Sequence, residues 1–78
     1  MAPPIREIFS ANLKDIRIQK GFATARRFAE ALGVNENRYT RYERGEVEPD
    51  LTMLMRICKR LGITPNDLLT NTMKSRRS

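Results

Sequence analysis

The chain has 78 residues, of which 40% are hydrophobic and 31% charged, and its net charge at neutral pH is +6. These values fit one small globular domain and exclude a disordered chain, and no apolar run approaches the roughly 20 residues of a membrane span. The chain has one cysteine, Cys58, and no histidine, so an internal disulfide is excluded and the commonest general base and metal ligand are missing. We therefore expect a cytoplasmic protein that is not an enzyme, has no metal or other cofactor, and buries Cys58 as a packing residue.

Prolines and glycines divide the chain into five expected helices, and no segment has the pattern of a strand. The helices are expected over residues 5–20, 25–32, 36–44 and 51–61, and over a short stretch that begins at residue 65. Thr24, Asn35, Asp50 and Thr64 stand just before the last four helices and are typical N-capping residues. The sequence therefore predicts an all-α, five-helix domain.

This domain is expected to cover residues 5–72, between a disordered segment at 1–4 and a basic tail at 73–78. Its core is expected to form from large apolar side chains that recur at helical spacing. The candidates are Phe22, Phe28, Leu32, Leu51, Leu54, Ile57, Leu61 and Leu68. A domain of this size buries only about 60% of the surface that its unfolded chain exposes, so few residues must build the core.

The third expected helix separates into two faces when successive residues are turned by about 100°. Tyr39 and Tyr42 fall on the side that Val34 can join, and the opposite side is polar. The polar residues are Asn37, Thr40, Arg41 and Arg44. Only Gly33 and Val34 lie between the second helix and Asn35, the expected cap of the third, which is the layout of a helix-turn-helix. Because asparagine can pair with adenine and arginine with guanine, the polar face predicts contact with base edges of duplex DNA, which the basic net charge favours.

From Leu13 to Leu69 the chain resembles the Cro/repressor-type (XRE) helix-turn-helix family. The resemblance rests on an ordered set of short motifs over most of the chain. These motifs are LKDIR (13–17), FAEALGV (28–34), YERG (42–45), PDL (49–51), LGI (61–63) and DLL (67–69). The resemblance implies a compact, lambda-repressor-like five-helix domain that binds operator DNA, usually as a dimer, and regulates transcription.

The resemblance also implies roles for individual side chains. The base-reading positions of the family correspond to Asn35, Glu36, Asn37 and Arg41. The phosphate-binding positions correspond to the start of the second helix and to the third, here Thr24, Ala25, Arg26, Arg27, Arg38, Thr40 and Arg44. A structural ion pair between the first and third helices corresponds to Arg17 and Glu43.

Three features depart from the family pattern. One extra residue lies between Gly21 and Ala29, so the second helix begins without the glutamine common there, and an arginine or a backbone N–H could anchor the phosphate. Glu36 stands where a neutral amide is common, and its carboxylate could accept from cytosine or simply satisfy the helix dipole. The loop 46–48 (EVE) is acidic, so DNA approach on that side is expected to be weaker or differently angled.

The last expected helix offers a candidate surface for dimerisation. Leu68 and Leu69 point about 100° apart, so they cannot both face the same core. If Leu68 is buried, Leu69 and Met73 form an exposed apolar pair, with Ile63 beside it. A homodimer on so small a surface is expected to be weak in solution and complete only on DNA.

Together these patterns predict a sequence-specific transcriptional regulator, of the repressor type, that binds double-stranded DNA at a palindromic operator. No membrane partner and no small-molecule ligand are evident. One alternative is a protein-interaction module on the same fold, such as an antitoxin that neutralises a toxin. The other is an enzyme or an RNA-binding subunit, which the missing catalytic groups and aromatic platforms disfavour.

Overall fold

The computed structural model describes residues 4–70, which form five α-helices and contain no strand. The helices are α1 (Ile5–Gln19), α2 (Ala25–Leu32), α3 (Glu36–Glu43), α4 (Leu51–Leu61) and α5 (Pro65–Leu69). The all-α, five-helix fold expected from the sequence is thus confirmed, and α1 and α3 each end one residue earlier than expected. Within residues 4–70, no helix combines the length and the apolar character that crossing a membrane requires. The expected basic tail, with Met73, lies outside the described residues.

Capping side chains fix where the helices α2 to α4 begin. The Thr24 hydroxyl accepts the backbone N–H of Arg27 at 3.2 Å, and the Asp50 carboxylate accepts that of Met53 at 2.8 Å. Asn35 plays the same part at the start of α3. Each cap satisfies at least one of the N–H groups that the first turn of a helix leaves without a partner. The predicted capping roles of these three residues are therefore confirmed.

One apolar core joins all five helices. Each helix contributes at least one fully buried side chain, and a single such burial typically stabilises a domain by about 1.5–3 kcal/mol. The fully buried side chains include, in chain order, one from each helix: Leu13, Phe28, Tyr39, Ile57 and Leu68. Cys58 is also buried, in agreement with its expected role in packing.

Two expected core residues lie nearer the surface than the sequence indicated. Leu51 is 79% exposed, so its assignment to the core was wrong. It is the first residue of α4 and lies at the edge of the buried stripe that Met53, Leu54 and Ile57 form. Phe22 is only partly buried, although its ring packs edge-on against that of Phe28 with 4.9 Å between centroids. The other expected core residues are buried.

The side chain of Asn12 ties α1 to the end of α5. Its amide nitrogen donates to the backbone carbonyls of Leu68 at 3.0 Å and of Thr70 at 2.7 Å. Asn12 is buried, and carbonyls at a helix C-terminus have no partner within their own helix. The last helix is therefore attached to the first by hydrogen bonds as well as by the burial of Leu68.

Candidate nucleic-acid interface

α3 buries one face and exposes the other. Tyr39 and Tyr42 are buried, and the ring of Tyr39 packs edge-on against that of Phe28 with 5.3 Å between centroids. On the opposite side, Asn37 and Arg41 are exposed. The predicted division of this helix into an inward tyrosine face and an outward polar face is confirmed.

A buried polar network anchors the C-terminal part of α3. Arg17 on α1 donates from Nε to Glu43 Oε2 at 2.5 Å and from Nη1 to the Phe22 carbonyl at 2.6 Å. The Tyr39 hydroxyl donates to the same Glu43 oxygen at 2.5 Å. The Arg17 and Glu43 side chains are only 5% and 10% exposed. Burial, reinforced by the hydrogen bond to Glu43, raises the pKa of Tyr39 far above its ordinary value, so this hydroxyl remains a donor.

Asn35 caps the start of α3 with its side chain. Its Oδ1 accepts the backbone N–H groups of Asn37 at 2.8 Å and of Arg38 at 3.3 Å. The amide nitrogen is left to donate, whereas bidentate pairing with adenine uses both the oxygen and the nitrogen. The side chain of Asn37 forms no hydrogen bond within residues 4–70, so its amide is available for that pairing.

Three other residues of the predicted phosphate-binding set on or beside α3 already have partners. Arg38 Nε donates to the Tyr42 hydroxyl at 3.3 Å. The Thr40 hydroxyl donates to the Glu36 carbonyl at 2.7 Å, within the helix. Arg44 forms an exposed ion pair with Glu46, at 3.8 Å. Of these three side chains, the two arginines keep N–H groups that can reach a phosphate.

The start of α2 presents a second set of predicted contacts. The Thr24 hydroxyl is used as the N-cap, and Ala25 is half-buried. Arg26 lies 3.5 Å from Glu30 in an exposed pair within the same helix, and Arg27 is exposed. Exposed pairs of this kind are weak, so Arg26 can exchange its partner for a phosphate.

A groove of about 520 Å³ runs beside α3 and brings the following loop to its polar face. It is lined by Asn37, Arg38, Arg41, Tyr42, Val47 and Glu48. The sequence indicated that the loop is acidic but not that Val47 and Glu48 lie beside Asn37 and Arg41. No local signal could have shown this, because it depends on the path of the chain after α3.

The residues predicted to form a dimer surface are less exposed than expected. Leu69 and Ile63 are half-buried and pack against the core, so the exposed apolar pair predicted at Leu69 was partly wrong, and Met73 lies outside the described residues. Leu69 lines a mostly apolar hollow of about 260 Å³, together with residues from α1, α4 and the loop between α3 and α4. These include Ile5, Phe9, Pro49 and Leu54.

No cluster of three or more His, Cys, Asp or Glu side chains within residues 4–70 could hold a metal ion. Cys58 is the free cysteine of this region, and its burial raises the pKa of its thiol. A buried thiol with a raised pKa is a poor nucleophile, so the geometry at Cys58 favours packing.

Two short helices joined by a three-residue turn (33–35), with a polar exposed face on the second, define a helix-turn-helix protein. Residues 13–68 match the helix-turn-helix family model of the XRE type. The chain therefore belongs to the XRE-type helix-turn-helix family, as its motifs predicted.

Two relatives from Bacillus subtilis (strain 168) are similar over most of the chain. The SPbeta prophage-derived uncharacterized HTH-type transcriptional regulator YonR is 37% identical over 65 residues, 83% of this chain and 59% of that protein. The uncharacterized HTH-type transcriptional regulator YqaE is 40% identical over 62 residues, 80% of this chain and 53% of that protein. The chain thus spans little more than half the length of either relative.

The fold is also similar to that of a solved structure. The crystal structure of the clp gene regulator ClgR from C. glutamicum superposes with a TM-score of 0.79 and 34% sequence identity. The match covers 95% of each chain.

Proposed function

We propose that this chain binds duplex DNA as part of a transcriptional regulator and reads the major groove through the exposed face of α3. The observation that carries the proposal is that the side chains of Asn37 and Arg41 are exposed and free to bind. Both are exposed opposite a buried tyrosine face, and neither side chain is bonded within residues 4–70. Two polar groups suited to adenine and guanine are therefore presented on a helix whose opposite side is fixed. The names of the relatives, which are transcriptional regulators and a gene regulator, support the same function.

In this proposal the base contacts come from the first two turns of α3. Asn37 and Arg41 pair with base edges, Glu36 accepts from a base or faces the helix dipole, and Asn35 contributes its free amide nitrogen. The phosphate contacts come from the start of α2 and from arginines of α3, and the net charge of +6 favours approach to DNA. Glu46 and Glu48 oppose that approach on one side of α3.

We further propose that the protein acts by binding and not by catalysis, in the cytoplasm, and that occupancy of an operator represses transcription. The absence of histidine from the sequence and the burial of Cys58 support a binding role. No small-molecule ligand is needed for the DNA contact described. An antitoxin-like module on the same fold is the second candidate, because the fold alone does not decide between partners.

A homodimer is proposed because one helix-turn-helix reads only a few base pairs, too few for useful specificity in a genome. A two-fold dimer would place two copies of α3 about 34 Å apart, one turn of DNA. The apolar hollow that Leu69 lines supports a contact at this end of the molecule, with Ile63 and Met73 in the proposed interface. The half-burial of Leu69 leaves only part of its surface for a partner, which favours a weak dimer that DNA completes.

Selection of binders from a random duplex library tests the DNA-binding proposal. We expect a recurring palindrome whose half-sites are separated by about one helical turn. The selection should be repeated with an Asn37→Ala, Arg41→Ala double variant, which is expected to lose the palindrome while it remains folded. A wild-type selection without any recurring motif would favour the protein-interaction module instead.

Sedimentation at rising protein concentration, with and without the selected duplex, tests the dimer. Leu69→Glu is expected to abolish cooperative binding of two copies, because it places a carboxylate in the proposed interface. Leu51→Glu is a matched control, since Leu51 is an exposed leucine that does not line the Leu69 hollow. If the Leu69 variant still binds as a cooperative dimer, the interface lies elsewhere.

A further inference from the structure

We propose that Arg56 on α4 is a positioning residue, which fixes the turn between α2 and α3 and so sets how α3 is presented to DNA. This role rests on the proposed DNA-binding function, because α3 is the helix assigned to base recognition. Arg56 is not assigned any contact with DNA. It acts through the last backbone carbonyl of α2.

The C-terminus of α2 has no basic side chain of its own that could donate to its last carbonyls. Its last turn contains Glu30 and no basic residue, although the negative end of a helix dipole favours cations. The backbone N–H of Gly33 folds back to the Ala29 carbonyl at 2.9 Å. The carbonyl of Leu32 instead accepts a hydrogen bond from Nη2 of Arg56. A charge-assisted bond from another helix thus supplies what the sequence of α2 lacks.

The Leu32 carbonyl lies at the beginning of the turn that leads into α3. Only two residues separate Leu32 from Asn35, which caps α3. One of them, Gly33, has a left-handed φ of +77°, and Arg56 Nη2 lies 3.6 Å from the position that a Cβ there would occupy. The guanidinium therefore lies against the turn itself. A shift of this carbonyl would move the cap of α3 and, with it, the first turn that carries Asn37.

Arg56 is well placed to hold this turn because its own helix is firmly packed. Its neighbour Ile57 is fully buried. At the other end of α3, Arg17 holds Glu43. Two arginines from two different helices therefore secure α3, one through its last residue and one through the turn before its first.

The test compares Arg56→Ala with Arg60→Ala. Arg60→Ala removes the same charge from the same helix. Arg56 and Arg60 both line a hollow of about 330 Å³, but the side chain of Arg60 forms no hydrogen bond or ion pair within residues 4–70. Affinities are measured for the duplex selected by the wild type and for an unrelated duplex, over a series of salt concentrations. We expect the ratio of the two affinities to fall about fivefold to tenfold in Arg56→Ala. It should change by less than about twofold in Arg60→Ala, as expected for a charge that only attracts DNA non-specifically.

Arg56→Lys should restore part of the difference in affinity between the selected and the unrelated duplex, because the lysine ammonium can still donate to the Leu32 carbonyl. Should Arg56→Ala fail to fold, Arg56→Met takes its place, since it keeps much of the packing stem without the donor. The positioning role would be overturned if the ratio of the two affinities were the same in Arg56→Ala (or Arg56→Met) as in Arg60→Ala.

Amide hydrogen exchange supplies a readout that does not depend on DNA. The backbone N–H groups of Gly33 and Val34 are expected to exchange about fivefold faster in Arg56→Ala, and unchanged in Arg60→Ala, under conditions where both are folded. If the wild type selects no duplex, the proposed function fails, but the exchange rates still decide whether Arg56 fixes the turn. Unchanged exchange at both amides would overturn the proposal on its own.

Discussion

Arg17 and Glu43 form a nearly buried ion pair that joins α1 to the last residue of α3. The guanidinium donates from Nε and Nη2 to the two carboxylate oxygens, at 2.5 and 3.3 Å. The same carboxylate accepts from Tyr39, and the same guanidinium reaches the Phe22 carbonyl. No buried side-chain nitrogen or oxygen within residues 4–70 lacks a partner, so the network is fully satisfied.

Removal of one member of this pair should be strongly destabilising. Glu43→Ala leaves the Arg17 charge without its carboxylate, and about 3–5 kcal/mol of unfolding free energy is expected to be lost. Glu46→Ala is the control, because its exposed pair with Arg44 should contribute no more than about 1 kcal/mol. Urea denaturation measures both. Wild-type-like unfolding of Glu43→Ala would rule out a structural role for the pair.

The raised pKa of Tyr39 predicts sensitivity to alkaline pH. Because the pKa in the folded state lies above the unfolded value of about 10, the stabilisation is complete below that pH and is lost as pH rises beyond it. The free energy of unfolding should fall by about 1.4 kcal/mol per pH unit above pH 10. Chemical denaturation from pH 8 to 11 measures the slope. Tyr39→Phe should lose this contribution, whereas Tyr42→Phe should keep it; equal slopes in both variants would contradict the assignment.

Asn12 is predicted to hold α5 in place. Asn12→Ala removes the donors to the Leu68 and Thr70 carbonyls, and a loss of about 1–3 kcal/mol is expected because the buried Leu68 carbonyl loses its side-chain donor. Asn66→Ala is a matched control, since Asn66 is an exposed asparagine of α5. Thermal unfolding gives the stability, and amide exchange in α5 should accelerate only in the Asn12 variant. Identical behaviour of the two variants would mean that the amide of Asn12 does not secure α5.

Arg41 and Arg44 should differ in how they affect DNA binding. Arg41→Ala is expected to cost about 1–3 kcal/mol on the preferred duplex and to flatten discrimination at one base position. Arg44→Ala should weaken binding to all sequences similarly and reduce the salt slope by about one unit. Titrations of single-base variants of the site, at several salt concentrations, separate the two effects. The proposed docking face would be wrong if discrimination and slope were unchanged in both.

Much of the fold could be predicted because its boundaries are encoded locally. Thr24, Asn35 and Asp50 each stand directly before a helix that they cap, and the starts of α2, α3 and α4 follow from them. The inward face of α3 was equally predictable, since Tyr39 and Tyr42 follow the helical period. A cap or a period is visible in a few consecutive residues and needs no knowledge of the rest of the chain.

Contacts between distant segments could not be predicted from such signals. Asn12 reaches Leu68 across 56 positions, and Arg56 reaches Leu32 across 24. Neither asparagine nor arginine carries a pattern that names its partner, because the pairing depends on how the helices pack. The prediction that Leu51 is buried failed for a related reason. An apolar residue at the edge of the buried stripe of a helix is covered only if another element packs over it.

The side chains proposed to read bases are largely separate from those that hold the helices together. Asn37 and Arg41 form no side-chain bond within residues 4–70, whereas the anchors of α3 lie on its other face and at its two ends. Substitutions at the reading positions should therefore alter which operator is recognised with little change in stability. One scaffold could serve many operators, and exchange of these side chains between relatives is a direct route to regulators with new targets.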